Sequence, residues 1–273
     1  MLKQLFLIGE LTGKTEDYTL SIRIGEKHVG FSISEAGTGS LTTLVFYSAE
    51  LINTESLDHL LSQQPLLKEK FRQVFVGFDY PEATLVPDSL NQPGSAPFIL
   101  NALYGVNGQS TILQDAVRAW QLQTIYAVPT GVHQWISKHF PGSRYWHQYS
   151  IGLKNIKPAE EEGHLLLEMR MEDLSVILSA KGKLLVAQTF SYTNPSDVLY
   201  YLLKACEEFH LSPATIKIEI SGLIEKDSAL FREIWQYFQF PELRNPQWNI
   251  NDPNLSVAAH FFTSLNDLAR CVS

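Results

Sequence analysis

The sequence predicts an α/β protein made of two similar lobes, and two observations carry that prediction. The first is an internal echo. Leu20-Ser21-Ile22-Arg23-Ile24 is repeated by Leu167-Glu168-Met169-Arg170-Met171, and the match continues in order. Phe31–Ser34 pairs with Val176–Ser179, Val45–Ser48 with Gln188–Ser191, and Val74–Asp79 with Ile216–Ser221. The offset drifts from 147 to 142 residues, as copies with unequal loops would show. The second is that each copy reads as three alternating strands, a helix and a fourth strand.

In the first copy, Tyr18, Leu20, Ile22 and Ile24 alternate with Thr19, Ser21 and Arg23, the period of a strand with one apolar face. Gly25–His28 turns, Val29–Ser34 returns, Ala36–Ser40 turns again, and a third strand runs through Leu41–Ser48. Asn53-Thr54-Glu55-Ser56 opens a helix that Pro65 interrupts. Val74–Phe78 is continuously apolar, as a parallel strand covered on both faces requires. Asp88-Ser89 follows it, as Asp227-Ser228 follows the fourth strand of the second copy.

Between the copies, Gln121–Val128 reads as a strand, Thr130–Phe140 as a helix and Arg144–Ser150 as a strand. The polar stretch Lys154–Gly163 marks the lobe boundary, placing the lobes at 1–157 and 158–273. The second copy alternates through Leu165–Met171, turns at Met171-Glu172-Asp173 and again at Lys181-Gly182-Lys183, and makes its third strand over Leu184–Phe190. Asn194-Pro195-Ser196-Asp197 starts a helix, Ile216, Ile218 and Ile220 form a fourth strand, and Asp227-Ser228 caps another helix. An amphipathic helix over Leu255–Cys271 closes the chain.

Composition narrows the function. The chain has 273 residues with a net charge of −8, which disfavours nucleic acid as a partner. Two cysteines without paired spacing exclude a metal quartet or a disulfide framework and suit a cytoplasmic location. No apolar run approaches the ~18 residues of a membrane span, so no membrane insertion is expected. His133, His139 and His147 lack the spacing of a metal set and read as two helix histidines and one strand histidine. No metal and no cofactor are expected. There is no P-loop lysine, no Gly-x-Ser-x-Gly and no Cys/His nucleophile pair.

A three-stranded meander, a helix, a parallel fourth strand and more helix, occurring twice, resembles the actin-like ATPase superfamily, whose lobes are ribonuclease H-like. Leu20-Ser21-Ile22-Arg23, Leu85-Val86-Pro87 and the small residues Val257-Ala258-Ala259 look closest to an uncharacterised bacterial family of about this length, distantly similar to actin-like pilus-assembly proteins. The resemblance implies a nucleotide cleft between the lobes. The first hairpin of each lobe would carry an Asp for Mg²⁺ or its waters, with a Gly two residues on for phosphate. A Gly-Gly pair after the second lobe's fourth strand would admit adenosine.

The chain departs from that pattern at each point. Gly25 is in place, but Arg23 stands where the Asp should be. Arg170 fills the matching slot in the second copy, and Glu172 replaces its glycine. There is no Asp-x-Gly and no Gly-Gly; Ser221-Gly222 stands instead. Facing unit charges at ~4 Å exchange roughly 4 kcal/mol at an effective dielectric near 20, so swapping acid for guanidinium turns attraction for a metal into repulsion.

The expected cleft residues are therefore Arg23, Gly25, Arg170, Ser221 and Gly222, with Glu35 and Asp79 as weaker candidates. Two fates are open for the arginines: gripping an anion together, or pairing with an acid such as Glu168 or Glu26. Glu35-Ala36-Gly37-Thr38-Gly39 is either a phosphate loop in a shifted register or a plain hairpin turn. Asp79 either stabilises a turn or serves as a cleft ligand. The expected function is a non-catalytic binding or assembly module with a degenerate nucleotide site. The alternative is a divergent ATP-binding protein, an ATPase or phosphotransferase, using Glu35 and Asp79. A protein partner is possible, as is a homodimer through Trp235, Tyr237, Phe238 and Phe240.

Overall fold

The computed structural model describes residues 1–9, 14–106, 108–156, 158, 163–248 and 259–271. Its strands are β1 (Lys3–Ile8), β2 (Tyr18–Ile24), β3 (His28–Glu35), β4 (Leu41–Ser48), β5 (Gln73–Phe78), β6 (Ala83–Pro87), β7 (Ser110–Val117), β8 (Leu122–Pro129), β9 (Arg144–His147), β10 (His164–Met169), β11 (Asp173–Ala180), β12 (Lys183–Ser191), β13 (Lys217–Gly222) and β14 (Pro241–Leu243). Its α-helices are α1 (Thr54–Gln63), α2 (Ala96–Tyr104), α3 (Thr130–His139), α4 (Gln148–Lys154), α5 (Pro195–Glu208), α6 (Ala229–Tyr237) and α7 (Thr263–Ala269).

The duplication is explicit in the sheets. The first lobe has the order β4-β3-β2-β5-β9 with β1 added at one edge, and the second has β12-β11-β10-β13-β14. In both, a meander is followed by parallel strands beside its first strand. Sequence caps start three helices as expected. Asn53 accepts from Ser56 N–H, Asn194 and Asp197 form a reciprocal capping box, and Ser228 accepts from Phe231 N–H.

Several expectations need correction. Pairing register shows that the echo was matched with slips. Ile22 lies opposite Phe31 and Val76, and Leu167 lies opposite Val176 and Ile220, so the matches of the second and third strands hold while those of the first and fourth strands are each two residues out. The counterpart of Arg23 is therefore Glu168, and Arg170 takes the place of Gly25, not of Arg23. Even slips preserve which face each side chain occupies, so an alternating pattern does not resist them. Asp88-Ser89 lies in a turn just after β6, whereas Ser228 of Asp227-Ser228 caps a helix. The stretch read as a strand to Ser150 is β9 followed by α4, whose N-cap is His147, accepting from Tyr149 N–H at 3.2 Å.

The first lobe also carries β6, β8, β7 and α2 as a separate three-stranded sheet with one helix. Large cores fill each lobe, and two smaller apolar clusters join the lobes to each other and to the C-terminal segment. One unites Leu41 and Leu44 with Trp248, Phe262 and Leu265. The other unites Val117, Leu153 and Ile156 with Leu166 and Ile177. The C-terminal helix is shorter than expected: a 3-10 turn over Ala259–Phe262 leads into α7, and Val257 and Ala258 lie outside the described residues. Of the proposed aromatic surface, Trp235, Tyr237 and Phe240 are exposed, but Phe238 is fully buried in the second lobe's core. No described helix is long and apolar enough to cross a membrane.

Candidate functional site: the interlobe cleft

The two first hairpins face each other across the cleft, and Arg23 sits at the end of β2 within it. It is 2% exposed, in a position that burial alone would make untenable for a charge. Two acids compensate it. Its Nε donates to Asp79 Oδ1 at 2.8 Å and Oδ2 at 3.0 Å, a forked pair within the first lobe. Its Nη2 donates to Glu168 Oε2 at 3.3 Å, on β10 of the second lobe. His28 then donates from Nε2 to Asp79 Oδ2 at 2.8 Å.

Strand register explains how this assembles. β2 and β5 run parallel with Arg23 opposite Gly77 and Ile24 opposite Phe78, so Asp79 emerges just beyond the paired end, beside the guanidinium. Asp79 N–H is fixed by Ile24 O at 2.8 Å. A Cβ at Gly77 would lie 2.5 Å from Arg23 Cδ, so glycine on the neighbouring strand makes room for the arginine stem. A Cβ at Gly25 would lie 2.3 Å from the His28 ring. Gly25 is thus explained by the imidazole folded over it, not by a phosphate.

The electrostatics follow. Burial alone would raise the Asp79 carboxyl, but Arg23 and His28 outweigh it and hold it well below the usual carboxylate range. Burial alone would lower Arg23, and Asp79 and Glu168 raise it. Asp79 is the counter-ion of a buried arginine, more than a turn stabiliser.

Arg170 is solved differently. It lies just past β10, 6% exposed, with Nε donating to Asp173 Oδ1 at 2.5 Å and Nη1 to Gln148 Oε1 at 2.6 Å. Its ion pair closes its own hairpin, and its amide contact reaches back to α4. Of the acids weighed as partners, Glu168 serves Arg23 across the cleft, and Glu26 pairs with neither arginine. Lys27 and Glu172, both exposed, form a further bridge between the hairpin tips.

Ser221 is buried at the end of β13, its Oγ donating to Leu167 O at 3.1 Å. Gly222 follows at φ 86°, where a Cβ would lie 2.0 Å from Met169 O, so both its left-handed backbone and the close chain crossing demand glycine. Glu35 is not brought to the cleft. It lies at the far end of β3 from His28, roughly 20 Å away at strand rise. Its loop is an exposed hairpin turn closed by Gly39 N–H to Glu35 O at 2.9 Å.

Between Arg23, Asp79, Glu168 and the residues Gly222, Phe262 and Leu265, the centre of the cleft holds only about 20 Å³, the room of about one water. Two larger recesses flank the Lys27–Glu172 bridge. One, of about 380 Å³, is walled by Lys3, Phe46, Met171 and Leu223; the other, of about 490 Å³, by Glu26, Pro81, Thr189 and Tyr192. Among the described residues, no three His, Cys, Asp or Glu side chains are grouped as a metal set. The residues that sequence reasoning passed over are Gly77, whose place opposite Arg23 needed the strand register, and His28, whose contact needed the hairpin's fold.

Known proteins agree with this architecture. A protein with an actin-like ATPase fold and unknown function from Bacteroides thetaiotaomicron superposes with a TM-score of 0.75 at 16% identity, over 94% of this chain and 97% of that one. A chain of the PilM-PilN type IV pilus biogenesis complex gives a TM-score of 0.65 at 13% identity, over 92% and 97%. No curated protein sequence matches the chain. The profile of the DUF3822 family, proteins of unknown function, matches residues 11–240. The chain belongs to the DUF3822 family, and its fold is that of the actin-like ATPases.

Proposed function

We propose that the chain is a non-catalytic binding or assembly module that keeps the actin-like fold and has given up its nucleotide site. The observation that carries this reading is the Arg23–Asp79 ion pair, tied to His28 and Glu168 and buried where the lobes meet. A metal-bound triphosphate entering there would have to displace a guanidinium already paired with two carboxylates, and would leave a buried charge without its partner. The apolar clusters that join the lobes oppose the opening that admission of a large ligand requires. A chain of similar fold in a pilus-biogenesis complex with a second protein supports a binding role for such a body, without lending this chain that partner.

An ATPase or phosphotransferase using Glu35 and Asp79 has less support, since one acid is remote from the cleft and the other is committed to Arg23. Calorimetric titration with magnesium-ATP, together with an assay of phosphate release, tests the proposal. No binding heat and no release are expected. Saturable binding that requires the metal, or turnover abolished by Asp79→Asn, would replace this reading with the enzymatic one.

A further inference from the structure

At the end of the first lobe's sheet opposite the cleft, a recess of about 300 Å³ opens between the start of β5 and the turn before β9. Arg72, Val74, Pro141, Gly142, Ser143 and Arg144 are among its walls, and no carboxylate lines it. The chain has eight arginines. Five of them hold side-chain partners: Arg23, Arg170, Arg232, Arg244 and Arg270. Among the described residues, Arg72, Arg118 and Arg144 have no ion pair and no side-chain hydrogen bond, and two of these three, Arg72 and Arg144, open onto this one recess. The Ser143 hydroxyl, also at the recess, has no hydrogen-bond partner.

Two free guanidiniums facing one polar hollow repel each other until an anion joins them. Forked N–H donors suit the oxygens of phosphate, and guanidinium pairs bind it in a defined geometry. The surroundings reinforce the sign. Lys68, Lys70 and Lys138 flank the recess in sequence, and Glu69 is the one acid between Lys68 and Arg72. A positive recess on a chain of net charge −8 runs against the field of the whole molecule. Phosphate alone would leave most of the space empty, while Val74 and Pro141 offer an apolar wall to a small organic group.

We infer that the recess between Arg72 and Arg144 binds a phosphate monoester carrying a small apolar group. The site is independent of the cleft: Asp79 and His147 mark the opposite ends of β5 and β9, roughly 20 Å from Arg72 along the strand.

The test is a titration of the isotopically labelled full chain with inorganic phosphate and with phenyl phosphate, followed by nuclear magnetic resonance at about 0.15 M salt, where weak surface attraction is screened. Saturable shifts are expected at the Gly142 and Ser143 amides and at the Nε–H groups of Arg72 and Arg144, with phenyl phosphate the tighter ligand. Arg72→Gln with Arg144→Gln should weaken binding about tenfold or more, equal to ~1.4 kcal/mol, with the rest of the spectrum unchanged because both side chains are exposed. Absence of saturable shifts, or equal binding by the double variant, would overturn the site. Phenyl phosphate binding no tighter than inorganic phosphate would overturn the ester class.

Discussion

Arg23 and Arg170 stand two residues apart along equivalent hairpins, Arg23 where the second lobe has Glu168 and Arg170 where the first has Gly25, and the lobes use them for different ends. Arg23 is held by Asp79 just past β5, itself bonded to His28 at the start of β3, and by Glu168 of the opposite lobe. Arg170 is held by Asp173, three residues on, and by Gln148. The difference lies in place along hairpins whose turns are of equal length. Gly25 N–H bonds His28 O and Arg170 N–H bonds Asp173 O, so both close with the same four-residue turn; Arg23 lies two residues back in its strand, opposite Gly30, whereas Arg170 opens the turn itself. The first arginine joins strands and lobes, and the second closes a loop. A residue type that recurs in both copies thus differs in role because it recurs at different places of the hairpin.

The largest expected effect breaks this comparison if it fails. Asp79→Ala leaves the Arg23 guanidinium buried without its main counter-charge and should cost about 3–5 kcal/mol in urea unfolding. Asp173→Ala should cost roughly 1 kcal/mol or less, because its side chain is 36% exposed and water replaces it. Equal losses would mean that the two arginines do the same work. Replacing the first pair with Arg23→Met and Asp79→Leu together should recover most of the loss, since apolar side chains of similar volume relieve two buried charges.

Gly77→Ala sharpens the comparison at the next level. The added methyl meets Arg23 and, at 3.1 Å, Ile151, and should destabilise by about 1–3 kcal/mol. In an Arg23→Ala background most of that cost should vanish, which a double-mutant cycle reads directly. Additive losses would show that Gly77 is needed for something other than the arginine stem.

Acid titration gives a subtler effect, because buried groups around the cleft oppose one another. Burial lowers His147 from 6.5 to about 4, so stability from its neutral form is present above 6.5 and lost as pH falls toward 4. Burial raises Asp115 from 3.8 to about 6 and Asp267 likewise, so their contribution is present below 3.8 and lost as pH rises toward 6. With two acids against one imidazole, the wild type should lose stability as pH rises between about 4 and 6. His147→Gln should steepen that loss, and Asp115→Asn should leave the window nearly flat. The smallest effect belongs to Lys27→Ala. Both members of its bridge are exposed, and no change in unfolding midpoint is expected; a clear loss would mean that the surface bridge, rather than the shared apolar clusters, holds the lobes together.

Much of the fold was legible because alternation, helix caps and Pro65 are local signals. Strand order followed from the repeat. Register did not, because an alternating strand matches itself when moved by two. The sheet of β6, β7 and β8 escaped notice because α2 is apolar on most sides, Phe98 and Leu103 being exposed, and so shows no clear helical face. The start of α4 escaped because its cap is a histidine, outside the usual capping residues. At the cleft, the arginine in the first hairpin was plain in the sequence; that its counterpart is the acid Glu168 rather than Arg170 was not, because the first-strand match was two residues out. The identity of Arg23's counter-ion was not, since Asp79 reaches it only through the parallel pairing of β2 with β5.

The Arg23 Nε–H resonance in the presence of magnesium-ATP tests the central claim most directly. A guanidinium locked between Asp79 and Glu168 should give a slowly exchanging signal that the nucleotide does not move and that Asp79→Asn abolishes. A rapidly exchanging proton, or one that shifts on saturable addition of magnesium-ATP, would contradict the account.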